Sequence, residues 1–239
     1  MAGVTVPRAH APKPLMAHFA TPPTGDAPWP GVVVLHEAFG LNDDIRDIAG
    51  RLAAAGYLAV APSLYSDGGP RRCLVATFRA LMRGEGKAFD DIEATRSWLA
   101  ARDDCSGRVG VIGFCMGGGF ALAAATRGFA VSAPNYGQVP KDLDDVLRGA
   151  CPVVASFGGR DRGLRGAAER LEQGLRRAGV AHDVKEYPGA GHSFLNRHGS
   201  GPLMSRVLRM IAVGYHAPAA EDAWDRILAF FDEHLHDEV

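Results

Sequence analysis

The chain has 239 residues, of which 47% are hydrophobic and 22% charged, as in globular proteins that bury a core without disulfides. Its net charge of −1 supplies no basic field for nucleic acid or an anionic membrane, so we expect neither partner. No apolar run approaches the ~18 residues of a membrane span, and the N-terminus has no apolar signal-peptide core. These features favour a cytoplasmic protein whose four cysteines stay reduced.

Residues 1–14 contain three prolines and little periodicity, which predicts an N-terminal arm or a poorly formed edge. After it, short apolar runs alternate with helical patterns. Strands are predicted at 15–20, 31–36, 57–61, 108–113, 129–133, 152–157 and 181–187. Helices are predicted after Asn42, twice within 71–103, after Cys115, over 164–178, and at the C-terminus.

Strands that alternate with helices are typical of an α/β fold with a mostly parallel central sheet covered by helices on both faces. The chain contains no internal repeat, low-complexity tract or interdomain linker. We therefore expect a single domain over residues 15–239, preceded by the arm.

The turn Gly113-Phe114-Cys115-Met116-Gly117 follows a buried strand and opens a helix. A strand, a Gly-x-nucleophile-x-Gly turn and a helix form the nucleophile elbow of α/β-hydrolases. Both glycines are needed because the turn is strained and a Cβ would crowd the strand or the helix. The pattern predicts Cys115 as a thiol nucleophile.

A thiol nucleophile needs a base and a group that orients the base. Asp161 and His192 each follow a predicted strand, where ligands bind in open parallel sheets, and the order Cys115, Asp161, His192 is that of α/β-hydrolases. Taken singly, each has an ordinary alternative: a packing cysteine, a helix cap and a loop histidine. Their order and placement together favour a catalytic triad. Backbone N–H groups of Met116 and Ala38 are the expected oxyanion donors.

The runs His36-Glu37-Ala38-Phe39-Gly40, 113–118 and 191–194 resemble those of the dienelactone hydrolase family, and the likeness extends from about Leu15 to the C-terminal helix. The resemblance implies an α/β-hydrolase fold. It also implies hydrolysis of a small lactone or ester, as by a carboxymethylenebutenolidase, through an acyl-cysteine and without metal or cofactor. It gives Glu37 a role as well: the glutamate meets the resting thiol and takes its proton when substrate moves the side chain. An alternative for Glu37 is a helix cap or an ion pair.

The sequence departs from the family where a substrate carboxylate is held. Family members use two arginines, one of them four residues after the catalytic histidine, and that position is Asn196 here, followed by Arg197. The other falls in a variable helical region, where Arg71 and Arg72 are candidates. The departure favours a second possibility, a carboxylesterase acting on neutral esters.

A different class of function also stays open at this point. Cys115 could be a redox-sensing thiol, or the fold a binding scaffold, because exposed reactive thiols oxidise readily. The matched acid and base argue against a scaffold. We expect a small-molecule lactone or ester as the partner, and a monomer or weak homodimer.

Overall fold

One eight-stranded sheet runs through this computed structural model, which describes residues 2–9, 11–197 and 214–236. The strands are β1 (Ala2–Val6), β2 (Leu15–Ala20), β3 (Trp29–Leu35), β4 (Leu58–Pro62), β5 (Cys105–Phe114), β6 (Val131–Asn135), β7 (Val153–Gly158) and β8 (His182–Tyr187). Their order is β1-β2-β4-β3-β5-β6-β7-β8. Among the strands of the described residues, the β1–β2 and β2–β4 pairs are antiparallel and the other five pairs are parallel, so the prediction of a mostly parallel sheet is confirmed.

Helices cover both faces of the sheet, as predicted. They are α1 (Asp43–Ala54), α2 (Pro70–Arg83), α3 (Lys87–Ala100), α4 (Met116–Ala124), α5 (Ala167–Ala178) and α6 (Ala217–Leu235). Helices α1 and α6 pack on one face with Val32 and Val34 of β3, while α3 and α4 pack on the other with Val33 and Leu35. Because β3 is buried on both sides, it reads in the sequence as a continuous apolar run.

The parallel strands place their carboxyl ends along one edge of the sheet. The loops after β3, β5, β7 and β8 leave from this edge and carry Glu37, Cys115, Asp161 and His192, respectively. Helix α1 begins where predicted, with the Asn42 side chain accepting a hydrogen bond from the Ile45 N–H at 3.0 Å. The topology alone therefore gathers the four predicted side chains at one edge.

The N-terminal segment, predicted as an arm or a poorly formed edge, lies at the edge of the sheet. Residues 2–6 form the edge strand β1, paired antiparallel with β2, because backbone pairing does not require a periodic side-chain pattern. Beyond β1, the Arg8 guanidinium is only 4% exposed and forms ion pairs with Asp67 and Asp91. The described part of residues 1–14 is therefore held to the rest of the protein by the pairing of β1 and by the ion pairs of Arg8.

Within the described residues, no helix is both long enough and apolar enough to cross a membrane. Cys73, Cys105, Cys115 and Cys151 are all free thiols.

Candidate active site

Cys115 occupies a strained backbone position between β5 and α4. Its φ of 53° and ψ of −114° lie outside the regions that L-residues ordinarily occupy, at a cost of about 1–3 kcal/mol. Its backbone N–H donates to the Asn135 carbonyl of the neighbouring strand at 3.1 Å. The side chain is half-buried, whereas Phe114 and Met116 on either side are buried. The turn therefore presents the thiol at the edge of the sheet.

The two elbow glycines are required by close backbone packing. A Cβ on Gly113 would lie 2.0 Å from the Gly117 carbonyl oxygen, and a Cβ on Gly117 would lie 2.2 Å from the Leu35 carbonyl oxygen. Neither contact can be relieved by moving a flexible side chain. The steric requirement expected from the sequence is present at both positions.

His192 and Asp161 form a hydrogen-bonded pair across the ends of β8 and β7. The His192 Nδ1 lies 2.6 Å from the Asp161 Oδ2. The Asp161 Oδ1 accepts from the Gly163 N–H at 2.9 Å, which caps a short 3-10 helix at Arg162–Leu164. The cap alternative and the pairing with His192 are thus both realised, one on each carboxylate oxygen.

The environment of His192 favours its protonated form. Burial acts to lower the pKa of His192, but hydrogen bonds with Asp161 and with Cys115 outweigh it and raise that pKa to about 10. For Asp161, burial opposes ionisation, yet the bond from His192 holds its pKa below the usual value. A histidine that is held by a carboxylate and interacts with a thiol is able to activate that thiol.

Glu37 is buried at 2% exposure beside this group. Its Oε1 accepts a hydrogen bond from the Ser193 hydroxyl at 2.6 Å. Ser193 has a positive φ of 58°, which is uncommon for a non-glycine residue. Sequence reasoning did not assign this serine, although its place directly after His192 was the available signal.

Tyr136 contacts His192 and was not identified from the sequence. Its ring meets the His192 ring edge-on, with centroids 5.4 Å apart, and its hydroxyl hydrogen-bonds to the Asn196 Oδ1. Burial, followed by the charges of Glu37 and Asp44, raises the pKa of Tyr136 well above its usual value. The Tyr136 side chain that packs against His192 is therefore a neutral phenol.

Asn196 occupies the position at which the family resemblance implies an arginine. The side chain is fully buried, and its Nδ2 donates to the Asp44 Oδ2 at 2.5 Å. The other Asp44 oxygen accepts the Arg197 backbone N–H at 2.8 Å. The Asn196 side-chain amide therefore already has hydrogen-bond partners within the protein, one of which is the Asp44 carboxylate.

The three candidate arginines lie in different places. The Arg197 guanidinium lies 4.6 Å from the Tyr215 ring centroid and donates to the Tyr215 hydroxyl at 2.9 Å. Arg71 and Arg72 are exposed on α2. Arg72 lines a groove of about 390 Å³ between α2 and the start of α3, a groove to which none of the triad residues contributes. Only Arg197 is close in sequence and space to the segment that carries His192.

Among residues 2–9, 11–197 and 214–236, no group of three or more His, Cys, Asp or Glu side chains is arranged to hold a metal ion. The polar groups gathered at the strand ends are a thiol, an imidazole and two carboxylates, which are chemically able to perform covalent acyl transfer.

The sheet order and the strained cysteine turn define the α/β-hydrolase class, and solved structures share this fold. A dienelactone hydrolase-like promiscuous phosphotriesterase from metagenomic libraries superimposes with a TM-score of 0.81, covering 98% of this chain and 99% of that one. At 23% identity, that likeness concerns the fold alone.

The chain belongs to the dienelactone hydrolase family, whose model matches residues 15–235, and it is therefore a hydrolase of esters or lactones. A relative from Escherichia coli is provisionally named a carboxymethylenebutenolidase. The two sequences are 30% identical in an alignment 237 residues long, and the match covers 91% of this chain and 82% of the relative. A Klebsiella pneumoniae structure, provisionally described as a dienelactone hydrolase, is 28% identical with a TM-score of 0.77, covering 97% of this chain and 98% of that one. The family predicted from the sequence is confirmed.

Proposed function

We propose that this protein hydrolyses a small lactone or ester through the triad Cys115, His192 and Asp161, with an acyl-cysteine intermediate. The observation that carries the proposal is the 2.6 Å contact between His192 Nδ1 and Asp161 Oδ2 at the strand ends where the elbow presents Cys115. Interaction with Cys115 also contributes to the raised pKa of His192. Since Nδ1 of His192 faces Asp161, Nε2 is the atom left to exchange protons with sulfur, leaving group and water.

Acylation begins with Cys115 as a thiolate beside protonated His192. The sulfur forms a bond to the substrate carbonyl carbon, and the carbonyl π electrons move to the oxygen. Collapse of this tetrahedral intermediate breaks the ester C–O bond, and the departing alkoxide takes the proton from Nε2 of His192. A thioester and a neutral imidazole remain, and Asp161 holds that imidazole in the required tautomer.

Deacylation reverses these roles. Nε2 of His192 accepts a proton from water as the water oxygen bonds to the thioester carbon. The C–S bond then breaks, the carboxylic acid leaves, and the thiolate is again paired with protonated His192. Thioesters hydrolyse readily, so the cycle suits lactones and activated esters better than amides.

The developing oxyanion would be bound by backbone N–H groups of Met116 and Ala38. Met116 is the first residue of α4, so helical hydrogen bonding leaves its N–H available. The close approach of α4 to the end of β3 supports this role, because Gly117 packs directly on the Leu35 carbonyl. The loop that carries Ala38 follows β3 and is therefore close to the start of α4.

Glu37 would act as the base of the resting thiol. A thiol with an ordinary pKa of ~8.5 is mostly neutral at pH 7, so an internal base raises the thiolate fraction when substrate arrives. In this step the proton moves from the sulfur of Cys115 to the Glu37 carboxylate, and it returns after deacylation. The bond from Ser193 supports a carboxylate at this position, because a hydroxyl that donates stabilises the charged form.

A carboxylesterase acting on neutral esters is the second candidate, and the surroundings of Asn196 favour it. This residue is fully buried and bonded to the Asp44 carboxylate, so this position supplies no cation to a substrate carboxylate. Arg197 could still supply one, but only if its guanidinium leaves Tyr215. Replacing Arg197 with Ala distinguishes the two substrates: a clamp predicts a higher KM for the charged lactone alone, and parallel changes remove Arg197 from the binding site.

The test is steady-state hydrolysis of a dienelactone with a free carboxylate and of p-nitrophenyl acetate, with Cys115→Ala and His192→Ala as matched variants. Both variants should lose turnover of whichever substrate wild type prefers, and the wild type should accumulate a thioester at Cys115 detectable by mass spectrometry. Turnover that persists in Cys115→Ala would refute the cysteine mechanism. No turnover of any ester by wild type would favour the thiol-sensor reading.

A further inference from the structure

His36 is a fully buried imidazole at the start of the loop that carries Glu37 and Ala38. Its Nδ1 lies 2.6 Å from the Glu37 carbonyl oxygen, and its Nε2 accepts the Leu64 backbone N–H at 3.1 Å. A backbone N–H can only donate and a carbonyl can only accept, so the ring carries its proton on Nδ1 and donates it to the Glu37 carbonyl.

That carbonyl belongs to the same peptide unit as the Ala38 N–H. In a planar trans peptide the C=O and N–H point in opposite directions, so holding the oxygen sets the direction of the N–H. The Gly40 N–H donates to the same oxygen at 3.1 Å. Two donors on one carbonyl also polarise the amide and strengthen its N–H as a donor.

Tyr65 contacts both residues whose N–H groups form the proposed oxyanion hole. Its hydroxyl lies 3.1 Å from the Ala38 carbonyl oxygen and 3.7 Å from the Met116 sulfur. Its ring lies 4.9 Å from the His36 ring, and both rings are buried. The two aromatic side chains therefore hold the loop after β3 against the start of α4.

We propose that His36 is a positioning residue for the reaction: its Nδ1–H orients and polarises the Glu37–Ala38 peptide so that the Ala38 N–H points at the substrate oxyanion, with Tyr65 bracing the next peptide. This role rests on the proposed hydrolase mechanism. Burial lowers the pKa of His36 to about 4, so the ring stays neutral under ordinary conditions and keeps the donor on Nδ1.

Two substitutions of His36 separate its two hydrogen bonds. In His36→Asn the side-chain amide nitrogen can replace Nδ1 as the donor to Glu37, whereas in His36→Gln the amide oxygen can replace Nε2 as the acceptor from Leu64. Loss of a whole oxyanion donor costs about 100–1,000-fold in kcat, so a misdirected donor should cost roughly tenfold or more. We expect that loss in His36→Gln, with kcat and kcat/KM falling together and KM unchanged. His36→Asn should retain kcat within about threefold of wild type by the same reasoning.

Melting temperatures of both variants control for a purely structural effect. Equal losses of kcat in the two variants, or a larger loss in His36→Asn, would overturn the proposal, as would a change confined to KM. If neither variant folds, Tyr65→Phe decides: it removes only the bracing hydroxyl and should lower kcat severalfold at constant KM, and an unchanged kcat would refute the role.

The same assays separate this inference from the proposed function. If Cys115→Ala abolishes turnover while the His36 pair behaves contrary to expectation, only the positioning role fails. If wild type hydrolyses no ester, or if Cys115→Ala retains full activity, the mechanism fails and the role of His36 fails with it.

Discussion

The elbow and the α2 segment flank the same active-site edge but are held in opposite ways. Eight of the nine residues of α4 are buried, and Gly117 and Gly118 pack against backbone atoms of β3 and β6, respectively. Only Thr77 is buried among the 14 residues of α2, and Met82 on this helix is 73% exposed. The segment before α2 is tied down instead by ion pairs from Asp67 to Arg8 and Lys87.

This contrast suggests that the rigid elbow serves the reaction, whereas α2 and its neighbours determine which substrate is preferred. Backbone contacts around the elbow leave little freedom for Cys115, so its thiol is presented in one geometry. A helix with little buried surface can change its sequence at low cost in stability, and loosely packed surface segments are where binding residues concentrate. We therefore expect substrate preference to vary with α2 and its neighbours while the triad stays fixed.

The largest effect should come from Gly117→Ala. The added methyl would lie 2.2 Å from the Leu35 carbonyl oxygen, which belongs to a central strand and cannot move aside. We expect a loss of more than about 4 kcal/mol in the free energy of unfolding, measured by urea denaturation, or failure to accumulate folded protein.

Gly3→Ala is the matched control for this glycine. Nothing lies within 4 Å of a Cβ at Gly3, on the edge strand β1, so the change should stay within about 0.5 kcal/mol. Similar losses for the two variants would mean that the elbow is not held by backbone contact, and the contrast with α2 would disappear.

Much of this architecture could be predicted from the sequence because the central strands are buried on both faces and read as apolar runs. The elbow was predictable for a related reason: its glycines mark a turn that only a few geometries permit. Edge strand β1 was less visible, since its residues are mostly exposed and the pattern of a buried strand is missing.

The proposed triad could be put forward from the sequence because Cys115, Asp161 and His192 each directly follow a strand, β5, β7 and β8. The residues that support them come from side-chain contacts across the sheet edge. Tyr136 reaches His192 from the end of β6, and Ser193 reaches Glu37 from a distant loop. Such pairs have no fixed spacing in sequence, so periodicity and motif cannot find them. The surroundings of Asn196 depend likewise on Asp44, 152 residues away along the chain.

The second-largest effect on the free energy of unfolding should come from breaking the ion pairs beside α2. Arg8→Met removes a nearly buried cation from Asp67 and Asp91, although Lys87 still faces both carboxylates. Breaking a fully buried pair costs about 3–5 kcal/mol, so with Lys87 remaining we expect about 2 kcal/mol at pH 7. A loss below about 0.5 kcal/mol would show that Arg8 behaves as a surface charge.

This effect should depend on pH in a defined direction. Hydrogen bonds from Arg8 and Lys87 lower the pKa of Asp67 below its usual value. A carboxylate with a depressed folded pKa stabilises the protein above its unfolded pKa of ~3.9, and that stability is lost as pH falls through the folded value. The difference in unfolding free energy between wild type and Arg8→Met should therefore shrink below about pH 4. A difference in unfolding free energy that grows below about pH 4 would contradict the lowered pKa of Asp67.

A third, smaller effect concerns Glu37 beside the elbow. Glu37→Gln keeps the shape of the side chain but removes the proposed base of the thiol, so acylation measured by stopped flow should slow about tenfold near pH 7. The pH optimum should rise, because thiolate would then form only by ordinary ionisation of the thiol. Ser193→Ala is a useful companion, since it removes only the hydroxyl that donates to Glu37. Equal rates for wild type and Glu37→Gln from pH 6 to 9 would exclude the proton-transfer role.

The smallest effect should come from the exposed face of α2, and it sharpens the comparison with α4. Met82 is 73% exposed whereas Leu122 on α4 is 1% exposed, although both side chains border one groove beside Gly119. Truncating a buried leucine to alanine costs about 2–5 kcal/mol, while an exposed position stays within about 0.5 kcal/mol. Met82→Ala should therefore change the free energy of unfolding by less than about 0.5 kcal/mol, whereas Leu122→Ala should lower it by about 2–5 kcal/mol. A loss above about 1 kcal/mol in Met82→Ala would mean that α2 is covered in solution, and the specificity that we attribute to a loosely held helix would need another source.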